Sequence, residues 1–488
     1  MRSRTTSAAW SSPLTLPWLA VVDLMERLSF FGMNAILVLY LTASPNALGL
    51  PGPGLGLDTA AAAAVAGSYG ALVFLTPLLG GWMADRLLGS SLAVLLGGMV
   101  ITAGHGLMAL PRTSSFWAGL LVIALGTGLL KPNVTAMIGA TQPDDQARRD
   151  AAFSLFYMCT NLGAFLAPLL IGSLAQARGW HWGFAAAGLA MAMALLVFVR
   201  ASRGTDLWRP RPLQKLMPAA LARLRIRLLM GIVAAGALVL LHGWLGGFSP
   251  EGLALDLMVL VVSLALLQLF QLWRTPRLSA DQRRGIQGFM VVFSVTVVFF
   301  VIYSQAGSVV IAFAQQHVDR HLGAWELPTS WLMAVNPLGV IVFAPVLASL
   351  WLRLGRRSPH PALKFGLAFL LLAASLLLMV PSGYRADADL QPSIDWILLL
   401  LVLQTWAELL LMPVAMSAVS HLSPVGLEGR MLATWYLSVS VGSAVGGQMF
   451  ALLGRWGLGP FFLLLSVLIS GCAIVMFSLL PRLKPLLA

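Results

Sequence analysis

Apolar runs of about 20 residues recur along the whole 488-residue chain, each long enough to cross a bilayer core as a helix. In hydrocarbon a single segment must satisfy its own backbone hydrogen bonds, so each run predicts one helix. Fourteen are predicted, centred near residues 28, 72, 100, 128, 163, 190, 238, 263, 297, 342, 370, 407, 440 and 470. Composition agrees, with 59% hydrophobic and 10% charged residues, where a soluble domain carries about a quarter charged. The first run is a full span with no small-residue cleavage site behind it, and reads as the first helix of the mature protein. Cys159 and Cys472 both lie in apolar segments and suggest no disulfide framework.

A net charge of +13 raises the question of nucleic-acid binding, and its distribution answers it. If the N-terminus is cytoplasmic, most of the 31 Lys+Arg fall in cytoplasmic connections, in Arg200 to Arg227, Arg274 to Arg284, and at Arg353, Arg356 and Arg357. The outer connections carry acids instead: Asp58, Glu251, Asp256, Asp387, Asp389 and Asp395. This is the positive-inside pattern, and both termini are predicted on the cytoplasmic side of a lipid bilayer. No nucleic-acid partner is expected.

The long basic stretch after Arg200 leaves six spans before it and eight after. The two that follow it, roughly 228–248 and 253–273, carry no buried acid or base and read as an inserted lipid-facing hairpin. Without them the layout is six plus six, that of a transporter built from two related bundles. The expected division is an N-terminal bundle over 1–200, a basic linker and hairpin over 201–284, and a C-terminal bundle over 285–488.

Five ionisable side chains interrupt the hydrocarbon: Asp23, Glu26, Arg27, Lys131 and Glu408. A charge at bilayer depth is costly unless it meets a partner or a wet cavity, so each marks a functional site. Positions 23, 26, 27, 30, 31 and 34 share one helix face by their spacing, a stripe of Asp, Glu, Arg, Phe, Phe, Asn facing a bundle or cavity. Arg27 can hold one carboxylate bidentately and leave the other acid free to titrate. A membrane-embedded enzyme would need a nucleophile–base or metal constellation, and none is read here. A channel would need a ring or filter repeated about an axis.

Gly81, Asp85, Arg86 and Gly89 in the loop GGWMADRLLGS give G-x-x-x-D-R-x-x-G, which resembles the loop signature of the major facilitator superfamily. Glycines there let helix ends approach, and Asp85 can pair across the loop. DLMERLSFFGMNAILVLY at 23–40 resembles the E-x-x-E-R-F-x-Y-Y-G-M-R signature of proton-dependent oligopeptide transporters, the POT family. GTGLLKPNV at 126–134, FYMCTNLGAFLAP at 156–168, GWHWGFAAAG at 179–188, SQAGS at 304–308, SWLMAVNPLGVIVFAP at 330–345 and AELLLMPVAMSAVSHLSP at 407–424 extend the resemblance in order over nearly the whole chain.

The resemblance implies an all-α membrane protein of the major facilitator fold, with two six-helix bundles, an inserted two-helix hairpin and fourteen transmembrane helices. It implies a proton-driven symporter of di- or tripeptides working by alternating access, in a bacterial inner membrane, with protons as coupling ion, no cofactor or metal, and a monomeric state. Asp23, Glu26, Arg27 and Lys131 match positions linked to proton coupling, Lys131 also to the peptide carboxylate. Protonation of Glu26 would then weaken its pairing with Arg27 or Lys131. Tyr157 and Asn161 match substrate contacts, Asn336 and Glu408 the pocket for the peptide N-terminus, and Trp435 a gate-lining aromatic, with Gln305 in the same set. Where the family has an arginine and a glutamate, thought to bridge across the outer gate in relatives, this chain has Asn34 and Ser304. Phe30, Phe31 and Phe74 replace tyrosines, and Met412 a serine. These departures leave another amphiphilic solute, or a non-transporting sensor, as alternative readings.

Overall fold

A computed structural model describes residues 15–140, 146–203, 243–244, 249–276, 278–424 and 427–486. Thirteen helices among the described residues are long and apolar enough to cross a membrane. The span expected over 228–248 lies outside the described residues except for Gly243 and Trp244, as does most of the basic stretch after Arg200.

The first six spans are α1 (Thr15–Thr42), α2 (Thr59–Met83), α3 (Ser90–Met108), α4 (Thr113–Ala140), α5 (Gln146–Ala167) and α6 (Trp180–Ser202). They pack as α3 on α4, α1 on α5, α2 on α4 and α3 on α6. After α7 (Pro250–Trp273) come α8 (Ala280–Tyr303), the short α9 (Val309–His317), α10 (Val335–Leu354), α11 (Pro361–Asp387), α12 (Asp395–Leu422), α13 (Glu428–Leu453) and α14 (Leu458–Ser478). With α9 counted as the continuation of α8, the same four pairings recur: α11 on α12, α8 on α13, α10 on α12 and α11 on α14. The molecule is therefore two six-helix bundles of one design. The first helix of the second bundle starts at Ala280, where Ser279 and Gln282 form a reciprocal capping box.

The bundles meet where α2 crosses α13 and α5 meets α10. Helix α7 packs on both α2 and α13, and only 17% of its apolar window is buried, as hydrocarbon facing lipid requires. Gln271 of α7 accepts a hydrogen bond from Arg430 Nη2 at 2.8 Å, so the helix is also tethered to α13.

The loop motif is used differently from expectation. A Cβ on Gly81 would meet nothing nearer than Pro132, at 3.8 Å, whereas one on neighbouring Gly80 would collide with the Gly128 carbonyl. Pro132 has no N–H to give that carbonyl, four residues before it, and Gly80 lets α2 close on the interrupted stretch of α4. Asp85 is exposed and has no ion pair among the described residues, while Gly89, at φ +78°, makes the turn into α3.

Candidate functional site

Helix periodicity places Asp23, Glu26 and Arg27 on one turn of α1, and packing seals them, each at most 6% exposed. Arg27 Nε stands 2.8 Å from Glu26 Oε2 and 3.3 Å from Asp23 Oδ1. Arg27 thus lies between the two acids, which corrects the expectation that it holds one bidentately. The contact with Glu26 is ionic but poorly aligned, for Glu26 Oε2 has no hydrogen-bond partner among the described residues. Asp23 is the better held: its other oxygen accepts from Thr160 Oγ1 of α5 at 2.6 Å.

Lys131 makes no ion pair among the described residues, which corrects the expected alternative pairing with Glu26. Its ammonium instead faces the rings of Phe30 at 5.4 Å and Phe74 at 5.1 Å. The two phenylalanines that stand for tyrosines therefore form a cation–π cradle, which compensates a cation without neutralising it. Tyr69 of α2 stacks on Phe30 at 6.3 Å, and its buried hydroxyl has no hydrogen-bond partner among the described residues.

In the second bundle Glu408, halfway along α12, gathers two residues. Its Oε2 accepts from Tyr303 Oη at 2.7 Å and from Asn336 Nδ2 at 2.8 Å, and Asn336 also reaches Tyr303 Oη at 2.9 Å. Helices α8, α10 and α12 are tied together at this one carboxylate. Asn161 does not join it; its amide turns back to the Tyr157 carbonyl at 2.9 Å.

A cavity of about 880 Å³ runs from Glu408 and Tyr157, past Met412, Trp435 and Tyr436, to Pro361, Lys364 and His421 at the helix ends. Its lining comes from the second bundle except for Tyr157 of α5. Tyr436 lines the cavity beside Trp435, with ring centroids 5.2 Å apart. Pro413 breaks the hydrogen-bond ladder of α12 just where the helix lines the cavity. Trp435 is fully buried, its indole N–H donating to Thr296 Oγ1 at 3.0 Å, so it packs the wall with one edge toward the space.

The other expected residues lie apart. A second cavity of about 230 Å³ is lined by Phe31, Tyr303, Ser304 and Asn336. Gln305 is fully buried, its amide bonding Val301 and Gly446 carbonyls at 2.9 Å, and serves packing of α8 against α13 rather than a cavity. Asn34 bonds the Phe30 carbonyl of its own helix at 2.8 Å, and Ser304 bonds that of Val301 at 3.3 Å. Each satisfies itself locally instead of reaching across.

Sequence reasoning missed Tyr303, Tyr436, Tyr69 and Thr160. The chain has only 6 tyrosines, and one inside an apolar span was a readable signal, since its hydroxyl seeks a partner. No group of three or more His, Cys, Asp or Glu among the described residues could hold a metal ion. His317 and His321 do have a His-x-x-x-His spacing, but α9 ends at His317, and His321 bonds Asp319 from a two-residue strand.

The family model described as PTR2, POT family, matches residues 91–456. The chain is 31% identical over 457 residues to the di-/tripeptide transporter of Lactococcus lactis subsp. cremoris, covering 92% of this chain and 91% of that one. It is 30% identical over 482 residues to the uncharacterized transporter YclF of Bacillus subtilis (strain 168), covering 96% and 94%. Its fold is similar to the crystal structure of peptide transporter POT in complex with sulfate, with a TM-score of 0.91, 30% identity and 98% of each chain covered. Two repeated six-helix bundles, each with ionisable side chains at membrane depth, and these likenesses lead to one conclusion: the chain belongs to the POT family.

Proposed function

We propose that this protein is a proton-coupled symporter importing di- or tripeptides by alternating access. The observation that carries the proposal is the placement of unlike charges on opposite bundles. Lys131 of the first has aromatic faces and no ion pair among the described residues, and Glu408 of the second lines a cavity that Tyr157 shares. A peptide zwitterion fits that pattern: its carboxylate supplies the anion Lys131 lacks, and its ammonium meets Glu408 with Asn336 and Tyr303. Binding both ends draws the bundles together, which is the differential contact that a conformational switch needs. The relatives named as peptide transporters support this reading.

Glu26 is the coupling group in this scheme. It is the less firmly held of the two acids on Arg27, so a proton there releases Arg27 toward Asp23 without stranding it. Positive loops argue for cytoplasmic termini, a 1–200, 201–284, 285–488 organisation and a bacterial inner membrane, and the long cavity then opens inward. The chain works as a monomer with protons as its only coupling species.

The test is uptake of a labelled dipeptide into proteoliposomes under an imposed pH gradient. Accumulation above equilibrium is expected for the unaltered protein. Glu26→Gln should lose accumulation and keep counterflow exchange; full accumulation by that variant removes Glu26 from coupling.

A further inference from the structure

On the face opposite the cavity mouth the two bundles touch through uncharged groups. The turn that extends α5, Pro168–Gly172, is a π-turn, a widened form common at functional sites. It packs on the 3-10 turn Thr329–Ala334 that leads into α10. Gly172 is what permits the contact: a Cβ there would stand 2.6 Å from Ser330 Cβ and nearer still to Ser330 Oγ. One residue on, Ser173 Oγ accepts a hydrogen bond from Trp331 Nε1 at 2.9 Å. Behind it the second bundle is braced, for Thr329 Oγ1 donates to Gln315 Oε1 at 2.6 Å and Trp331 meets Trp325 edge-on at 5.4 Å.

The crossing of α2 and α13 repeats this chemistry. A Cβ on Gly67 would lie 2.7 Å from Gly447 Cα, and Ser440 Oγ donates to the Ala71 carbonyl at 2.7 Å. No ion pair among the described residues joins the two bundles.

We infer that Gly172–Ser173 and Ser330–Trp331 form an uncharged latch that closes the outer side of the transporter and must part on every cycle. The inference rests on the alternating-access reading above. Charged latches must shed and regain hydration at each opening. A contact of glycine, serine and indole avoids that step and holds through closeness and one hydrogen bond, so its strength depends on side-chain size and not on salt. Next to it lies the 230 Å³ cavity lined by Phe31, Ala306, Ser304 and, from the latch turn itself, Leu332 and Met333.

The experiment places a reporter cysteine at Ala306 (Ala306→Cys) in a chain with Cys159→Ser and Cys472→Ser, and follows its labelling by a membrane-impermeant maleimide from outside. Gly172→Val should raise the labelling rate at least fivefold, and Trp331→Phe, which removes the indole N–H together with part of the ring, about twofold, both unaffected by 0.1 to 1 M salt. The pair Gly172→Cys with Ser330→Cys, oxidised to a disulfide, should suppress labelling and arrest uptake until reduced. Unchanged labelling in Gly172→Val, failure of the cysteine pair to cross-link, or full uptake by the cross-linked protein overturns the latch. Labelling needs no substrate: absence of peptide uptake with latch-dependent labelling would count against the peptide reading and not against the latch.

Discussion

Tyr303 donates its hydroxyl proton to Glu408 Oε2 across 2.7 Å, and Asn336 donates to the same oxygen from a third helix. Hydrogen bonds to a charged group are worth about 1.5–3 kcal/mol each, more than neutral ones. Because both converge on one atom, either can partly cover for the other. Tyr303→Phe and Asn336→Ala should each weaken peptide uptake about tenfold in KM. The double variant should lose more than the product of the two, because no donor is then left to cover for the other. Independent effects in KM measurements would mean the two donors do not share a role at Glu408.

Lys131 is predicted to be the carboxylate anchor. C-amidated dipeptides should compete poorly against the unaltered protein, by a factor of at least ten. In Lys131→Gln, free and amidated peptides should compete equally, since the charge that told them apart is gone. N-acetylated peptides should remain poor in that variant, because Glu408 is untouched. A preference for the free carboxylate that survives Lys131→Gln would assign the anchor elsewhere.

Asn34 and Ser304 each bond their own helix, at 2.8 and 3.3 Å. Asn34→Arg or Ser304→Glu alone places an unpaired charge in the membrane interior and should impair transport and stability; breaking buried pairs costs about 3–5 kcal/mol. The double variant should recover much of both, with a coupling of about 0.5–3 kcal/mol. A Cβ on Gly446 would collide with Ser304 Oγ, so the larger side chain has to point away from α13, toward α1. Strict additivity in a double-mutant cycle of uptake and melting temperature would show that the two positions do not meet.

His360 supplies a pH-dependent prediction outside the spans. Its Nδ1 accepts the Ala362 N–H at 3.3 Å and caps α11. Burial first, and then the charge of Lys484, hold its imidazole below the ordinary value of 6.5. The unfolded chain therefore takes up this proton at higher pH than the folded one. The contribution to stability is fully present above pH 6.5 and is lost as pH falls through the lower folded-state value. His360→Asn, which caps without titrating, should flatten the decline in melting temperature between pH 7 and 5. Identical slopes in the two proteins would rule out His360 as the source.

Much of this was legible in the chain. Run length and hydropathy determine the spans, because hydrocarbon leaves a single segment no other way to satisfy its backbone. Helical periodicity determines that Asp23, Glu26, Arg27 and Phe30 share a face of α1. The burial of Asp23, Glu26 and Arg27 follows from apolar neighbours on both sides.

Periodicity names a face but not what meets it, and there the tertiary structure decides. Thr160 reaches Asp23 across 137 positions and Tyr303 reaches Glu408 across 105, pairings that no local spacing encodes. Lys131 read as a partner for Glu26 because unlike charges attract, yet the packing of α4 set its ammonium against two phenyl rings instead. Arg27 read as the holder of one acid, but with Asp23 and Glu26 on the same turn a single Nε lies near both. Gly172 stood in the sequence as an ordinary helix residue. Only the approach of Ser330 from the other bundle makes its missing side chain matter, since close contact depends on where two backbones are brought together and not on either one alone.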